Sequence, residues 1–396
     1  MKPPSQKRVA ASILIGLGLF WILVCNAANE SIHQHFAWLA ESFWRGRLDI
    51  IPERLSAGII DAALTAGRFY WPLGPLPAIL MMPLVPFLGG DAQPIAQIMF
   101  SAAIAWLAFV LARRTGFSRD DAVWLGFLFC FGSAAIGAIS MNGPWYVGET
   151  VAMLCLLPAL IEQRSRNRPA VIGLFAGLAL MSRVTAGLGA IFFGLVELLR
   201  PGSWRNKAVR IARLAAPVAA AALLLGLYNY LRFGDPRTTG YDVNLLAPWS
   251  PEAVDRAKFG LFSAAYFSRN LFYYFLALPE SYRGLPLVSP YGVSFFLLSP
   301  AFLLSVRARR RYPEFVAAAA ASALVLAVLL FYFTTGFWQF GPRYLLDILP
   351  YWYLLLLLGI GPRPLSRRFK ALIAASAGLN AFLFIVFTAH YVLHAF

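Results

Sequence analysis

Cysteine is almost absent from this 396-residue chain: Cys25, Cys130 and Cys155 are its three, and each lies in an apolar run. None has metal-ligand spacing, so they read as packing residues rather than a disulfide framework or a metal cluster. Acidic residues are scarce as well, at 18 against 34 basic ones. No polar stretch is long enough to enclose a core of its own, which excludes a separate soluble domain and makes residues 1–396 a single unit. Tandem repeats and low-complexity linkers are missing too.

What is abundant is apolar sequence. Hydrophobic residues make up 60% of the chain and mean hydropathy is +0.66. Runs of about 15 to 25 apolar residues recur along the whole length, the pattern of a polytopic all-α membrane bundle. The runs predict eleven spans near 9–28, 92–112, 121–140, 146–162, 169–184, 185–199, 209–231, 289–306, 313–334, 344–361 and 370–393. The first reads as a retained anchor rather than a cleaved signal segment. The run 73–88 is apolar but holds Pro75, Pro77, Pro83 and Pro86, and reads as a short or re-entrant segment packed on the outer face.

The net charge of +16 does not point to nucleic acid. Six clusters at span ends, from Lys2/Lys7/Arg8 to Arg363/Arg367/Arg368/Lys370, hold 22 of the 34 basic residues. Such bias marks cytoplasmic loops and anionic lipid headgroups as neighbours. The expected topology puts the chain in the plasma (inner) membrane, N-terminus cytoplasmic and C-terminus extracytoplasmic, with outer segments near 29–91 and 232–288. In the second of these, apolar and aromatic residues at helical spacing between Pro251 and Leu278 predict an amphipathic outer-face helix.

Acids gather where the basic-residue bias gives no reason for them. Glu30, Glu41, Asp49, Glu53 and Asp61 fall in the first outer segment, beside His33 and His35. Charges at a membrane face are costly unless solvated or used. Glu30 and Asp61 are each either a candidate catalytic carboxylate or an ordinary solvated acid, and Asp49, close to Arg45 and Arg47, reads more readily as a surface ion pair. Two histidines two apart do not face one ligand, so no metal is expected. Glu149 enters a span and invites pairing with Arg183 or Arg343. Arg183 sits at the junction of two short spans, where it needs a carboxylate or a phosphate as partner.

These features resemble the GT-C superfamily of integral-membrane glycosyltransferases, especially the bacterial branch related to protein O-mannosyltransferases and aminoarabinose transferases. The resemblance rests on Asn29-Glu30 after the first span, the aromatic and Pro-rich approach Phe69-Tyr70-Trp71-Pro72, the short paired spans around Arg183, and Phe340-Gly341-Pro342-Arg343-Tyr344 heading a late span. It implies a polyprenyl-phosphate sugar donor, an extracytoplasmic acceptor that is lipid, glycan or protein, and no cofactor. It further implies a carboxylate base in the first outer segment, with Arg68, Tyr70, Glu149, Arg183, Arg343 and Tyr344 toward the substrates. The family's acidic pair reads Asn29-Glu30 here, and Asn cannot take a proton. Either Glu30 is the base, or the role moves to Asp61 or Asp49, or activity is altered. A flippase of lipid-linked sugars and an inactive GT-C-shaped partner in envelope assembly remain the competing readings.

Overall fold

The computed structural model describes residues 6–28, 33–51, 54, 61–246, 250–308 and 312–393. Glu30, with Asn29 and Glu53, lies outside the described residues. The architecture is a polytopic helical bundle. Among the described residues, six helical segments are long and apolar enough to cross a bilayer: Val9–Ala28, Val85–Arg114, Pro144–Gln163, Trp204–Phe233, Pro313–Phe331 and Arg367–Tyr391.

In chain order, α1 (Gln6–Ala28) leads to the short α2 (His35–Trp44). The Pro-rich run 73–88 forms α3 (Leu76–Met81) and α4 (Val85–Leu88). At about 1.5 Å per residue neither could cross a bilayer alone. Next come α5 (Ala92–Arg114), α6 (Arg119–Phe131), α7 (Ala135–Ile139) and α8 (Pro144–Gln163). The predicted span 121–140 is therefore broken, at Gly132-Ser133. Buried amides accept this irregular backbone: Gln97 donates to the Ala138 and Met141 carbonyls at 2.7 and 3.0 Å, Asn26 to Ile139 at 2.9 Å, and Asn380 to Phe131 at 2.9 Å. Non-helical backbone inside a bundle needs such partners.

The paired short spans become α9 (Pro169–Ser182), α10 (Val184–Leu188) and α11 (Ile191–Leu199). They are followed by α12 (Trp204–Phe233), which ends at Gly234 in the left-handed region. The α9 and α12 backbones touch through small residues. A Cβ at Gly173 would stand 2.0 Å from the Leu214 carbonyl oxygen, and one at Gly177 2.9 Å from the Ala221 Cβ. This is small-residue packing at a four-residue spacing.

The predicted amphipathic stretch is two helices, α13 (Pro251–Phe259) and α14 (Phe267–Phe275), interrupted at Gly260 with φ +77°. Val254, Phe262 and Phe272 on it stand about half exposed. The run 289–306 is only α15 (Phe295–Leu298) plus a 3₁₀ stretch, Pro300–Ala308, the break falling at Ser299-Pro300. The bundle closes with α16 (Pro313–Phe331), a 3₁₀ turn Arg343–Asp347, α17 (Leu349–Ile360) and α18 (Arg367–Tyr391).

Two hairpins interrupt the all-helical pattern. Strands Ala63–Thr65 and Arg68–Tyr70 pair across Ala66-Gly67, and Glu280–Tyr282 and Leu285–Leu287 across Arg283-Gly284. Both turn residues have positive φ in each case, the geometry that two-residue turns require.

The connections carrying the basic clusters are laced by ion pairs. Glu162 meets Arg168 at 2.9 Å, Glu197 meets Arg200 and Arg210 at 2.8 and 2.6 Å, Glu314 meets Arg164 at 3.6 Å, and Asp121 meets Lys370 at 2.7 Å.

Candidate active site

A cavity of about 640 Å³ opens among the segment that holds His33, Asp61 and Trp71, the start of α8, the residues around α13, and the loop before the 3₁₀ turn at Arg343. Its walls are mostly aromatic and apolar, with Asp61, Glu252 and Arg343 as the charged groups. That is the composition of a ligand site, apolar area with a few convergent polar groups.

Beside the cavity, Arg183 braces Tyr344, one of its lining residues. The chain leaves α9 at Arg183 in an extended conformation, φ −146° and ψ 127°, before re-entering helix. The guanidinium is thereby inserted into the bundle. Its Nε donates to both Asp347 carboxylate oxygens at 3.0 and 3.2 Å, and its Nη1 lies 3.1 Å from Glu149 Oε1. Thr185 donates its hydroxyl to the same Asp347 carboxylate. Of the two partners the sequence offers Glu149, Arg183 is the one in contact. Arg183 does not line the cavity: it lies behind the wall, 9% exposed, against the Tyr344 ring at 5.1 Å.

Arg343 is in a different state. It lines the cavity, is 7% exposed, and rests against the rings of Tyr344 and Tyr146 at 5.1 and 5.6 Å. Its buried Nε has no hydrogen-bond partner, and its guanidinium forms no ion pair among the described residues. The preceding loop is shaped to admit it. Gly336 has φ +100°, and a Cβ there would stand 2.6 Å from Gln339 Oε1 and 2.8 Å from Arg343 Nε. A guanidinium remains charged in any protein environment, and burying a charge without an anion is costly.

Asp61 faces the same space. Its backbone is left-handed at φ +60°, its N–H donates to the Leu245 carbonyl at 3.1 Å, and its carboxylate lies near the Trp145 indole. Burial pushes this carboxyl above the ordinary aspartate value, and neighbouring Glu252 adds to the rise; Arg343, the Trp145 indole and Arg256 pull the other way. His33 also lines the cavity. Behind it His35, fully buried, packs its ring 4.3 Å from Trp71 and 5.1 Å from Trp38, with neither ring nitrogen hydrogen-bonded. Burial, followed by the proximity of His33, lowers its pKa to about 3.

Two residues expected near the substrates lie apart from the cavity lining. Arg68 stands exposed on its hairpin strand, and Tyr70 is buried edge-on against Phe233 at 5.4 Å. Asp49 is bound to Arg47 at 2.5 Å, and that hydrogen bond, with the Arg47 and Arg68 charges, outweighs burial and holds its carboxyl below the usual value. Sequence reasoning passed over two acids that matter here, Asp347 and Glu252. The signal for Asp347 was available: it is an acid inside an apolar run one turn after Arg343, and charges at membrane depth are usually functional.

No known family profile and no curated protein sequence matches the chain. Solved structures do. The structure of ArnT from Cupriavidus metallidurans bound to undecaprenyl phosphate superposes with a TM-score of 0.55 over 96% of this chain and 64% of that one, at 13% identity. Its apo state gives 0.55 over 94% and 65%, at 16% identity. The apo oligosaccharyltransferase of Archaeoglobus fulgidus gives 0.51 over 96% and 55%, at 15% identity. The chain shares the fold of these proteins. It spans less than two thirds of the length of each of these proteins, so what the GT-C likeness covers is this chain's whole bundle and only part of theirs.

Proposed function

We propose that the protein is an integral-membrane glycosyltransferase, moving a sugar from a polyprenyl-phosphate donor to a hydroxyl acceptor at the extracytoplasmic end of the bundle. The observation that carries this reading is Arg343: a buried, cavity-lining guanidinium that no carboxylate among the described residues contacts, where a donor phosphate would supply the missing anion. The ArnT neighbour was solved with undecaprenyl phosphate, a lipid of this class.

In the proposed step the acceptor oxygen attacks C1 of the sugar. Its bond to C1 forms as the bond from C1 to the phosphate oxygen breaks. The electron pair of the broken bond leaves with the polyprenyl phosphate, whose charge Arg343 balances. The acceptor proton passes to a carboxylate of the first outer segment. Asp61 is favoured for that role, because it faces the cavity and its raised pKa makes it a better base than an exposed aspartate; Glu30 is the other candidate. Arg183, clamped by Asp347 and Glu149, would hold Tyr344 in place rather than meet the phosphate.

The test is direct. Purified protein is given polyprenyl-phosphate sugars and a hydroxyl acceptor, and transfer is followed by mass spectrometry, alongside binding of undecaprenyl phosphate. Transfer that disappears in Arg343→Ala together with lipid affinity supports the reading. Donor binding that survives Arg343→Ala unchanged refutes the phosphate assignment.

A further inference from the structure

Across the cavity from Asp61, α13 carries a carboxylate that no cation among the described residues pairs with. Ser250 caps the helix, its hydroxyl accepting from the Ala253 N–H at 3.1 Å, and Pro251 fixes the first turn, so the backbone at Glu252 is held. Glu252 lines the cavity. Tyr291 lies close to its carboxylate, whose Oε1 is buried with no hydrogen-bond partner.

The obvious cation for Glu252 is Arg256, one turn along the same helix. That guanidinium is committed elsewhere: Nη1 donates to the Tyr241 carbonyl at 2.8 Å and to the Asn244 side chain, and Nη2 to the Asn244 carbonyl at 2.9 Å. Lys258 lies over the Phe259 ring at 4.8 Å, and Arg269 pairs with Asp255. Glu252 is therefore left with an acceptor oxygen facing a cavity and no ion pair among the described residues. Leaving a buried acceptor unsatisfied is expensive, and the cost disappears when a ligand hydroxyl fills it.

The surroundings narrow the ligand. Phe337 and Trp338 line the same cavity, lie near-parallel at an interplanar angle of 20°, and keep 47% and 50% of their surface bare. Flat apolar rings beside a hydrogen-bonding carboxylate suit a sugar ring, which has C–H faces and hydroxyl edges. Asp61 senses Arg343 and Glu252 together, so the three groups border one volume. In a glycosyl phosphate the ring is bonded directly to the phosphate, and a phosphate on Arg343 would put that ring in this volume.

We infer that Glu252 is the specificity-determining residue for the donor sugar, accepting hydrogen bonds from its ring hydroxyls while Phe337 and Trp338 border its face. This rests on the proposed donor reading above, and it makes Glu252 responsible for the sugar where Arg343 is responsible for the phosphate.

Binding experiments on the full chain in nanodiscs separate the two. The probes are bare undecaprenyl phosphate and undecaprenyl phosphate carrying glucose, galactose, mannose or a pentose. For the sugar that binds wild type best, Glu252→Gln is expected to weaken affinity by about 10- to 100-fold, the scale of one charge-assisted hydrogen bond, while affinity for the bare lipid stays unchanged. Arg343→Ala should weaken both. Retained bare-lipid binding also certifies that Glu252→Gln is folded, and Glu252→Ala serves as the second variant. The inference is overturned if both variants affect bare and sugar-bearing lipid equally, if neither affects either, or if no sugar strengthens binding over the bare lipid. Selective loss in Glu252→Gln with no effect of Arg343→Ala would instead keep the sugar subsite and remove the phosphate assignment.

Discussion

Arg183 and Arg343 both lie against the ring of Tyr344, each guanidinium carbon 5.1 Å from its centroid. Their surroundings differ in one respect. Arg183 is held by two carboxylates, and Arg343 touches none among the described residues. One guanidinium is ion-paired twice over and the other, among the described residues, is not.

That difference predicts opposite phenotypes. Arg183→Ala strands Glu149 and Asp347 as buried acids without a cation, and should cost about 3–5 kcal/mol of stability, read as a lower thermal midpoint in detergent. Arg343→Ala should leave the midpoint near that of wild type and weaken undecaprenyl-phosphate binding by about tenfold or more. Reversed phenotypes would exchange the two roles.

Asp61→Asn should reduce transfer by about 10²–10⁴-fold with donor affinity retained. Since burial raises the Asp61 carboxyl, wild-type kcat/KM should rise with pH through a point above the ordinary aspartate value, and a pH–rate profile measures it. Should Glu30→Gln abolish transfer while Asp61→Asn spares it, the base is Glu30.

His35 predicts a pH dependence of stability. Its folded pKa is lowered to about 3, against about 6.5 for an unfolded histidine. Below pH 6.5 the unfolded state therefore takes up a proton that the folded state refuses, and stability falls as pH falls. Between pH 6.5 and 5 this amounts to about 2 kcal/mol. His35→Phe, which keeps an aromatic ring and removes the titration, should flatten that part of the stability curve; an unchanged slope would assign it to other groups.

Gly173→Ala should be destabilising by about 1–3 kcal/mol or more, because the new methyl group meets the Leu214 carbonyl on α12. Gly194→Ala is the control, since nothing stands within 4 Å of a Cβ there. Thermal midpoints of the two variants give the comparison, and equal values would contradict close α9–α12 contact.

The bundle was legible in the sequence because hydropathy is a local property, readable run by run. The breaks inside the runs were less so. At Gly132-Ser133 and Ser299-Pro300 the freed carbonyls are met by Asn380, distant in sequence, as Gln97 and Asn26 meet those at the end of α7. Both hairpins had a local cue, Ala66-Gly67 and Arg283-Gly284, hidden by strands of three residues each. At the site, Arg183, Arg343 and Asp61 stood out as charges in apolar or membrane-edge sequence. Asp347 escaped because its partner is 164 positions away, and Glu252 because an acid at a helix start next to an arginine one turn on looks like an ordinary surface pair. Only the commitment of Arg256 to Asn244 shows otherwise.

The ion pairs at the basic end have an evolutionary corollary. Asp121–Lys370, Glu162–Arg168, Glu197–Arg210 and Glu314–Arg164 tie connections to one another, and Asp121–Lys370 and Glu314–Arg164 do so across long stretches of chain. A substitution in the first hairpin or in α13 disturbs none of them. Selection for a new sugar or a new acceptor could therefore rewrite the cavity rim over many generations while the assembly and membrane insertion of the bundle stayed under separate control.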